Sequence, residues 1–496
     1  GRLHDPDLLG HDYAKGYMAI KAMADFECPT TQPRMAVQRM EEWERPIETG
    51  QLPESGSHFD VIVVGGGPAG SAAATYNAIN GCKVLLIGKE FWPRDKACGD
   101  AVGGKSLSHV EELGVLEMIE GTPHYSVDSI IFGSANGAEV KVMLPKEAYE
   151  EMGMQSGYAL PRVQFDYMMF KRCSEIVRLN GGSVIQGFAV SDVALEGDGE
   201  AKSIVGVSGK VGGRRSIEPE LSFTSALTIG AGGYNCPIAR AITESYGEPF
   251  RDDEHFCGGY REYWENVGGL EEAEGPIEIH FIDEVLPGYF WLFPVRKGVV
   301  NVGIGMLISE QRKQTGMKKS LKQIQKWVIE EHPRFKIRFA NATMIPKSAR
   351  GWQLPFGSPR KNAPSYQPRR SAMAGAMAVG DAASLIDPFS GEGIGNALLS
   401  AKMTSIHFDR EAHSAGFPGA AAVGYMTDLW DTLGKELTNS SRLQKMMKWK
   451  RLTNWFVKKA SKKDEIAKMM SEMIASKDAQ QNLWSPWFLF KTLILP

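Results

Sequence analysis

The stretch Asp60-Val61-Ile62-Val63-Val64-Gly65-Gly66-Gly67-Pro68-Ala69-Gly70 decides the fold. After its acid, the segment through Val64 is β-branched, which favours a short pleated strand. The Gly65-x-Gly67-x-x-Gly70 turn follows at once, then a small-residue helix from Ser71 to about Asn80, then a second buried strand at Lys83–Ile87. Together they form a βαβ unit of about 30 residues, the length such a unit needs. Gly65 permits the tight turn, Gly67 lets a pyrophosphate approach the backbone, and Gly70 lets helix and strand pack closely. Free N–H groups at the helix start then bind phosphate. A glycine turn without a ligand is the plain alternative; the complete strand–turn–helix context disfavours it.

A dinucleotide site of this kind places an acid about 20 residues on, at the end of the second strand, to bind ribose hydroxyls. Here that place is Gly88, followed by Lys89 and Glu90, so either Glu90 or a backbone carbonyl with Lys89 takes the role. A second motif lies more than 300 residues away: Gly380-Asp381-Ala382-Ala383, then Asp387-Pro388-Phe389-Ser390-Gly391-Glu392-Gly393-Ile394. An Asp after a strand accepts from a sugar-alcohol hydroxyl, and a glycine turn opening a helix aims N–H groups at an anion or a carbonyl.

The chain has 496 residues, 43% hydrophobic, enough to bury two or three lobes without disulfides. A formal net charge of −3 excludes the global electrostatic footprint of a nucleic-acid binder. Cys28, Cys82, Cys98, Cys173, Cys236 and Cys257 are scattered without ligand spacing, which argues against a metal site and fits a reducing compartment. No apolar run approaches the roughly 20 residues of a transmembrane helix, and the first residues lack the order of a signal peptide. The expected location is cytoplasmic or organelle-stromal, at a membrane surface.

The expected fold class is α/β: a discontinuous Rossmann-like domain interleaved with an antiparallel-sheet substrate domain, ending in a helical region. The expected boundaries are an N-terminal extension at 1–57, the nucleotide domain at 58–120, 161–245 and 371–415, the substrate domain at 121–160 and 246–370, and a basic, apolar C-terminal region at 416–496.

Two further patterns are Pro93-Arg94-Asp95-Lys96-Ala97-Cys98-Gly99-Asp100 and Gly288-Tyr289-Phe290-Trp291-Leu292-Phe293-Pro294, the latter followed by Asn301-Val302-Gly303-Ile304-Gly305. With the glycine motifs they make the chain resemble the FAD-dependent geranylgeranyl reductase family, within the wider class of flavoprotein hydroxylases and halogenases, over roughly Phe59 to Met403. The resemblance implies FAD contacts at Ala69, Cys98, Gly99, Arg162, Asp381, Gly393 and Ile394. Gly65, Gly67, Pro68, Gly70, Lys89, Gly380 and Gly391 complete the expected cofactor set. Two positions depart from the family pattern: Gly88 replaces the ribose acid, and Gly230-Ala231-Gly232-Gly233 replaces the usual Gly-Ala-Asp-Gly.

Tyr289, Trp291 and Phe293 alternate and so share one strand face. That face is either sheet core or, with Pro294, a slot for an isoprenoid chain, and the family pattern favours the slot. Cys98 is either a proton-donating thiol near the flavin or a small packed cysteine. The implied activity is saturation of carbon–carbon double bonds in a prenyl chain on a lipid, quinone, diphosphate or chlorophyll-like substrate. The external electron donor, NADPH or reduced ferredoxin, leaves no motif of its own, and an electron-donor protein is a possible partner. The alternatives are a flavin-dependent halogenase or monooxygenase, and a non-catalytic assembly subunit descended from a flavoprotein.

Between Arg442 and Lys463 basic residues alternate with Leu443, Met446, Met447, Trp449, Leu452, Trp455, Phe456 and Val457, with no acid among them. Such a basic amphipathic helix lies in a membrane interface. Trp484, Trp487, Phe488, Phe490 and Leu493 offer a second dipping element.

Overall fold

The computed structural model describes residue 47 and residues 49–144, 155–213, 215–313, 319–360 and 369–462. The aromatic tail at 484–493 lies outside the described residues, as does the extension up to residue 46.

The opening strand β1 (His58–Val64) is buried from Val61 to Val64 and sits at the centre of a parallel set. β2 (Val84–Ile87) pairs with it on one side, with β7 (Ser183–Ile185) beyond. β10 (Leu221–Gly230) pairs on the other, followed by β18 (Ala376–Ala378). Strands buried on both faces need no alternation, which is why these segments read as continuous apolar runs. β8 (Phe188–Glu196), β9 (Ser203–Val211) and β17 (Ala372–Met373) add antiparallel pairs at the margins. Helix α1 (Pro68–Ile79) is buried along nearly its whole length, with α2 (Arg162–Leu179) and α3 (Ile394–His407) packed against it.

The second sheet runs β15 (Thr343–Met344), β11 (Phe256–Glu265), β14 (Val299–Leu307), β13 (Tyr289–Arg296), β12 (Glu274–His280), β4 (Tyr125–Gly133), β6 (Gly157–Ala159) and β3 (Ala101–Gly103). β5 (Glu139–Met143) joins β4, and β16 (Arg350–Pro355) joins β11. Its pairings are antiparallel except for β4 with β12, where the chain returns to the sheet after a long excursion and enters in the same direction. The sheet also reaches back to Ala101–Gly103, directly after the Cys98 loop.

The C-terminal helices α4 (Gly419–Met446) and α5 (Lys450–Ala460) follow. α5 packs Val457 and Ala460 into the core of the second sheet, so one face of the basic segment is committed to the protein body. Lys448 reaches Glu310 at 2.7 Å and Lys450 reaches Asp283 at 3.9 Å, which offsets part of its charge. Among the described residues no helix is long and apolar enough to cross a membrane.

Candidate active site between the two sheets

The two sheets share a cavity of about 1830 Å³, well above the ~300–1,000 Å³ of an ordinary small-molecule pocket. From the first sheet come the β1–α1 turn (Gly65, Gly67, Pro68, Ala69), Gly88 and Lys89 after β2, and Ala231 to Asn235 after β10. From the second come Val127, Ile277, Ile279, Phe281, Tyr289, Trp291 and Phe293. Cys98, Gly99, Arg162, Asp381, Gly391, Gly393 and Ile394 line the same space, so residues more than 300 positions apart in sequence meet at one site.

The three motif glycines divide by what constrains them. Gly65 has φ +117°, and an added Cβ would overlap the Ala231 carbonyl. A Cβ on Gly70 would overlap the Gly65 carbonyl oxygen. On Gly67 it would meet only a guanidinium nitrogen of Arg94, at 3.2 Å. The fold therefore demands two of these glycines, and the third is bare toward the cavity at the N-terminus of α1, where a pyrophosphate needs approach. Gly70 and Gly380 do not line the cavity. At Gly380 (φ +57°) a Cβ would press on Ala69 and Ala397 at 3.0 Å, so this glycine lets the Asp381 turn sit close to α1 and α3. The Asp381 carboxylate accepts from Lys96 Nζ at 2.8 Å, tying the second glycine motif to the Cys98 loop.

The two positions that lack the expected acids differ in the space around them. A Cβ at Gly232 would lie 3.1 Å from the Cys236 Cα, so the backbone leaves little room for an aspartate there. At Gly88 the nearest atoms would be carbonyl oxygens at 3.5 and 3.6 Å, ordinary contact distance, so sterics do not account for that glycine.

On β13, alternation sends Tyr289, Trp291 and Phe293 to the cavity, while Phe290 and Leu292 enter a separate core on the other side. Pro294 is an even position and does not line the cavity, which corrects the expectation that it contacts substrate. The glycines of the flanking motifs are spaces for these rings. A Cβ at Gly303 would overlap the Trp291 indole, and one at Gly99 would come within 2.8 Å of the Phe293 ring. Tyr289 donates to the Ser390 carbonyl at 2.5 Å, and Gly391 (φ +74°) leaves room for that hydroxyl. Ile277, Ile279 and Phe281 continue the apolar wall at a period of two in sequence, a pattern that by itself does not point to the slot.

Cys98 is partly exposed, unlike buried Cys82, Cys173, Cys236 and Cys257. It faces Arg162, whose guanidinium clasps Asp166 at 2.6 and 2.9 Å. Arg94 adds a second cation on Asp166 at 3.1 Å. Polar groups without a signature in the sequence reading also reach the cavity. Lys105 bonds Asn396 at 2.8 Å and Glu436 at 2.6 Å, and Glu392 holds one buried oxygen without a protein partner. Asp100 likewise lines the cavity with an unpartnered buried oxygen. A bare phosphate turn, a carboxylate after a strand, a second helix N-terminus and the unsatisfied Glu392 oxygen beside an apolar wall fit a flavin dinucleotide.

Comparison with known families carries the assignment further. Residues 257–343 match the family described as geranylgeranyl reductase catalytic domain, and residues 60–128 match glucose inhibited division protein A. The first match covers the strands that build the aromatic slot. Over those residues the chain is similar to the geranylgeranyl reductase family. With relatives named as reductases and a match to an FAD-binding family, it is an FAD-dependent oxidoreductase. Among its relatives, menaquinone reductase of Mycolicibacterium smegmatis is 26% identical over 70% of this chain and 75% of that one. Digeranylgeranylglycerophospholipid reductase 1 of Methanococcoides burtonii is 29% identical over 68% and 72%. In three dimensions a geranylgeranyl bacteriochlorophyll reductase-like protein of Thermoplasma acidophilum superposes with a TM-score of 0.66 at 20% identity, over 86% of this chain and 98% of that one. A flavin-dependent brominase superposes with a TM-score of 0.64 at 18% identity, over 86% and 97%. These superpositions establish the fold alone, shared by reductases and halogenases.

Proposed function

We propose that this protein saturates carbon–carbon double bonds in the prenyl chain of a lipid or quinone, holding the chain in the Tyr289/Trp291/Phe293 slot. The observation that carries the reading is the meeting, in one cavity, of a cofactor-binding turn, a partly exposed thiol and an aromatic wall extended by Ile277, Ile279 and Phe281. A prenyl chain offers apolar surface and π-bonds, and burial on such a wall contributes about 25 cal/mol per Å².

The bound flavin, once reduced, supplies a hydride to the alkene. Gly67 and the first turn of α1 would hold the pyrophosphate, Asp381 would accept from a hydroxyl of the cofactor's chain, and the α3 N-terminus at Gly393–Ile394 would offer backbone N–H groups to it. The Cys98 Sγ carries the proton delivered to the neighbouring carbon. An isolated alkene has no carbonyl to activate it, so alignment by the slot does most of what the protein contributes. The electrons enter from NADPH or a reduced ferredoxin-type protein.

The deciding experiment is anaerobic turnover of the flavin-loaded protein with a chemical reductant and either a prenylated quinone or a geranylgeranyl glycerolipid. A gain of one pair of hydrogens per saturated bond, by mass spectrometry and without oxygen, is the expected result. Activity that requires oxygen and halide would replace the reading by halogenation.

For access to such substrates, we infer peripheral membrane binding through the C-terminal region. α5 buries Thr453, Val457 and Ala460 and leaves Trp455 38% exposed beside its lysines, with Trp449, 66% exposed, at its N-cap. Aromatic rings among basic residues suit the headgroup level of an anionic bilayer. Salt-sensitive flotation with phosphatidylglycerol vesicles, lost on truncation after Thr438, is expected; equal flotation of both proteins would refute it.

A further inference from the structure

We propose that Asp100 and Asn301 form a positioning pair that locks the Cys98 loop to the Trp291 ring, so that thiol and slot keep one fixed relation. The inference rests on the reductase reading above. Asn301 is fully buried on β14 and all its polar atoms are engaged. Its Oδ1 accepts from the Trp291 indole at 2.9 Å, while its Nδ2 donates to the Cys98 carbonyl at 2.6 Å and to Asp100 Oδ2 at 2.7 Å. One amide thus touches the slot, the thiol residue's own backbone and a carboxylate.

Asp100 has features that packing alone does not require. It is completely buried, its φ of +70° lies in the left-handed region, and its Oδ1 has no partner. Aspartate tolerates that backbone better than most residues, yet the conformation persists only where surroundings impose it. Its Oδ2 also accepts from the Tyr263 hydroxyl at 2.5 Å. Behind Tyr263 lies Arg261, fully buried, 4.2 Å from the ring centroid and paired with Asp95 of the same loop. The charged and titratable groups facing Asp100 are therefore Arg261 and Tyr263 from β11, and Arg162 from α2. Burial pushes its carboxyl up to about 6, against the pull of Arg261 and the Tyr263 and Asn301 hydrogen bonds. Above that pH the ionised carboxylate accepts strongly from both donors; below it the protonated group holds Asn301 less firmly.

The test compares Asp100→Asn and Tyr263→Phe with the wild type as flavin-loaded, full-length proteins. For Asp100→Asn the expectation is unchanged flavin content and KM with kcat down about 10–100-fold, as for groups supporting a site from behind. The acid limb near pH 6 in the wild-type kcat profile should vanish. Tyr263→Phe removes a donor that favours the ionised form, so it should move that limb to higher pH, and it carries the test where Asp100→Asn does not fold. Iodoacetamide labelling of Cys98, followed by peptide mass spectrometry, gives a readout free of substrate: on top of the ordinary rise of thiolate with pH, the wild-type rate should show an inflection near pH 6 that Asp100→Asn lacks. Wild-type kcat, pH profile and labelling in both variants would overturn the proposal. A wild type inactive on every prenyl substrate but showing the labelling difference would leave the pair standing and remove only the reductase reading.

Discussion

On the first-sheet side of the cavity the working groups are mostly backbone: the turns at Gly65–Gly70, Gly88 and Ala231–Gly233. On the second-sheet side they are side chains, the Trp291 ring among them being held by buried Asn301. The first arrangement binds a phosphate-bearing group that needs close approach, and glycine provides it. The second must present shape to an apolar chain, and rings held by neighbours provide that. Substitutions should accordingly fail in different ways on the two sides.

The largest expected effect separates two glycines of one motif. Gly70→Ala drives a Cβ into the Gly65 carbonyl and should abolish soluble folded protein, in the class of losses above about 4 kcal/mol. Gly67→Ala meets only the end of a flexible arginine. Its melting temperature without flavin should match the wild type, while flavin affinity falls about tenfold, or 1.4 kcal/mol. Equal damage to folding by both would mean that Gly67 is structural and that the cavity wall is not a phosphate turn.

On the other side, Trp291→Ala removes a ring packed over Gly303 and bonded to Asn301. Large-to-small changes of this kind cost about 3–5 kcal/mol where buried. Here the expected signature is loss of kcat/KM that grows with prenyl chain length, flavin content staying intact. Flavin lost in proportion to activity would return the aromatic face to ordinary core.

The two sides were also unequally legible. The βαβ unit is local: strand, turn and helix are consecutive, and each glycine has a backbone reason that survives without knowledge of partners. The slot rings were visible as alternation, but the residues that fix them were not. Asn301 stands ten positions after Trp291, and nothing in the sequence says that a hairpin brings them to 2.9 Å. Asp100 reads as one more acid in a charged loop until Tyr263 and Arg261 arrive from 160 residues away. Pro294 adjoins Phe293 in sequence, but strand pleating sends neighbours to opposite faces.

A smaller effect tests the buried charges of the second sheet. Burial raises the Glu278 carboxyl, but hydrogen bonds from His280 and Arg338 outweigh it and hold the group at about 2. A depressed pKa contributes stability present above the unfolded value and lost as pH falls through the folded one. The interval is therefore from about 4.5 down to about 2, and the contribution is on the order of 3 kcal/mol. Glu278→Gln should lower the denaturation midpoint at neutral pH and flatten the acid limb across that interval. A wild-type acid limb in the variant would assign it to other carboxylates, among them Glu112, also held at about 2 beside Lys402 and His109.

The smallest effect is a gain. Gly88 ends β2 where a dinucleotide site ordinarily carries an acid for the ribose hydroxyls, and a Cβ there would meet the Ile185 and Glu90 carbonyl oxygens only at 3.5 and 3.6 Å. Gly88→Glu should therefore fold normally and tighten flavin binding severalfold, up to about tenfold, the scale of one charge-assisted hydrogen bond after solvation losses. Gly232→Asp is the matched control, because its Cβ would press the Cys236 backbone at 3.1 Å and should lower the melting temperature instead. Titration of both apoproteins with FAD by fluorescence quenching distinguishes them. No tightening in Gly88→Glu would show that Lys89 or Glu90 already occupies the hydroxyl position, so that even here a side chain, and not the bare backbone, completes the first-sheet wall.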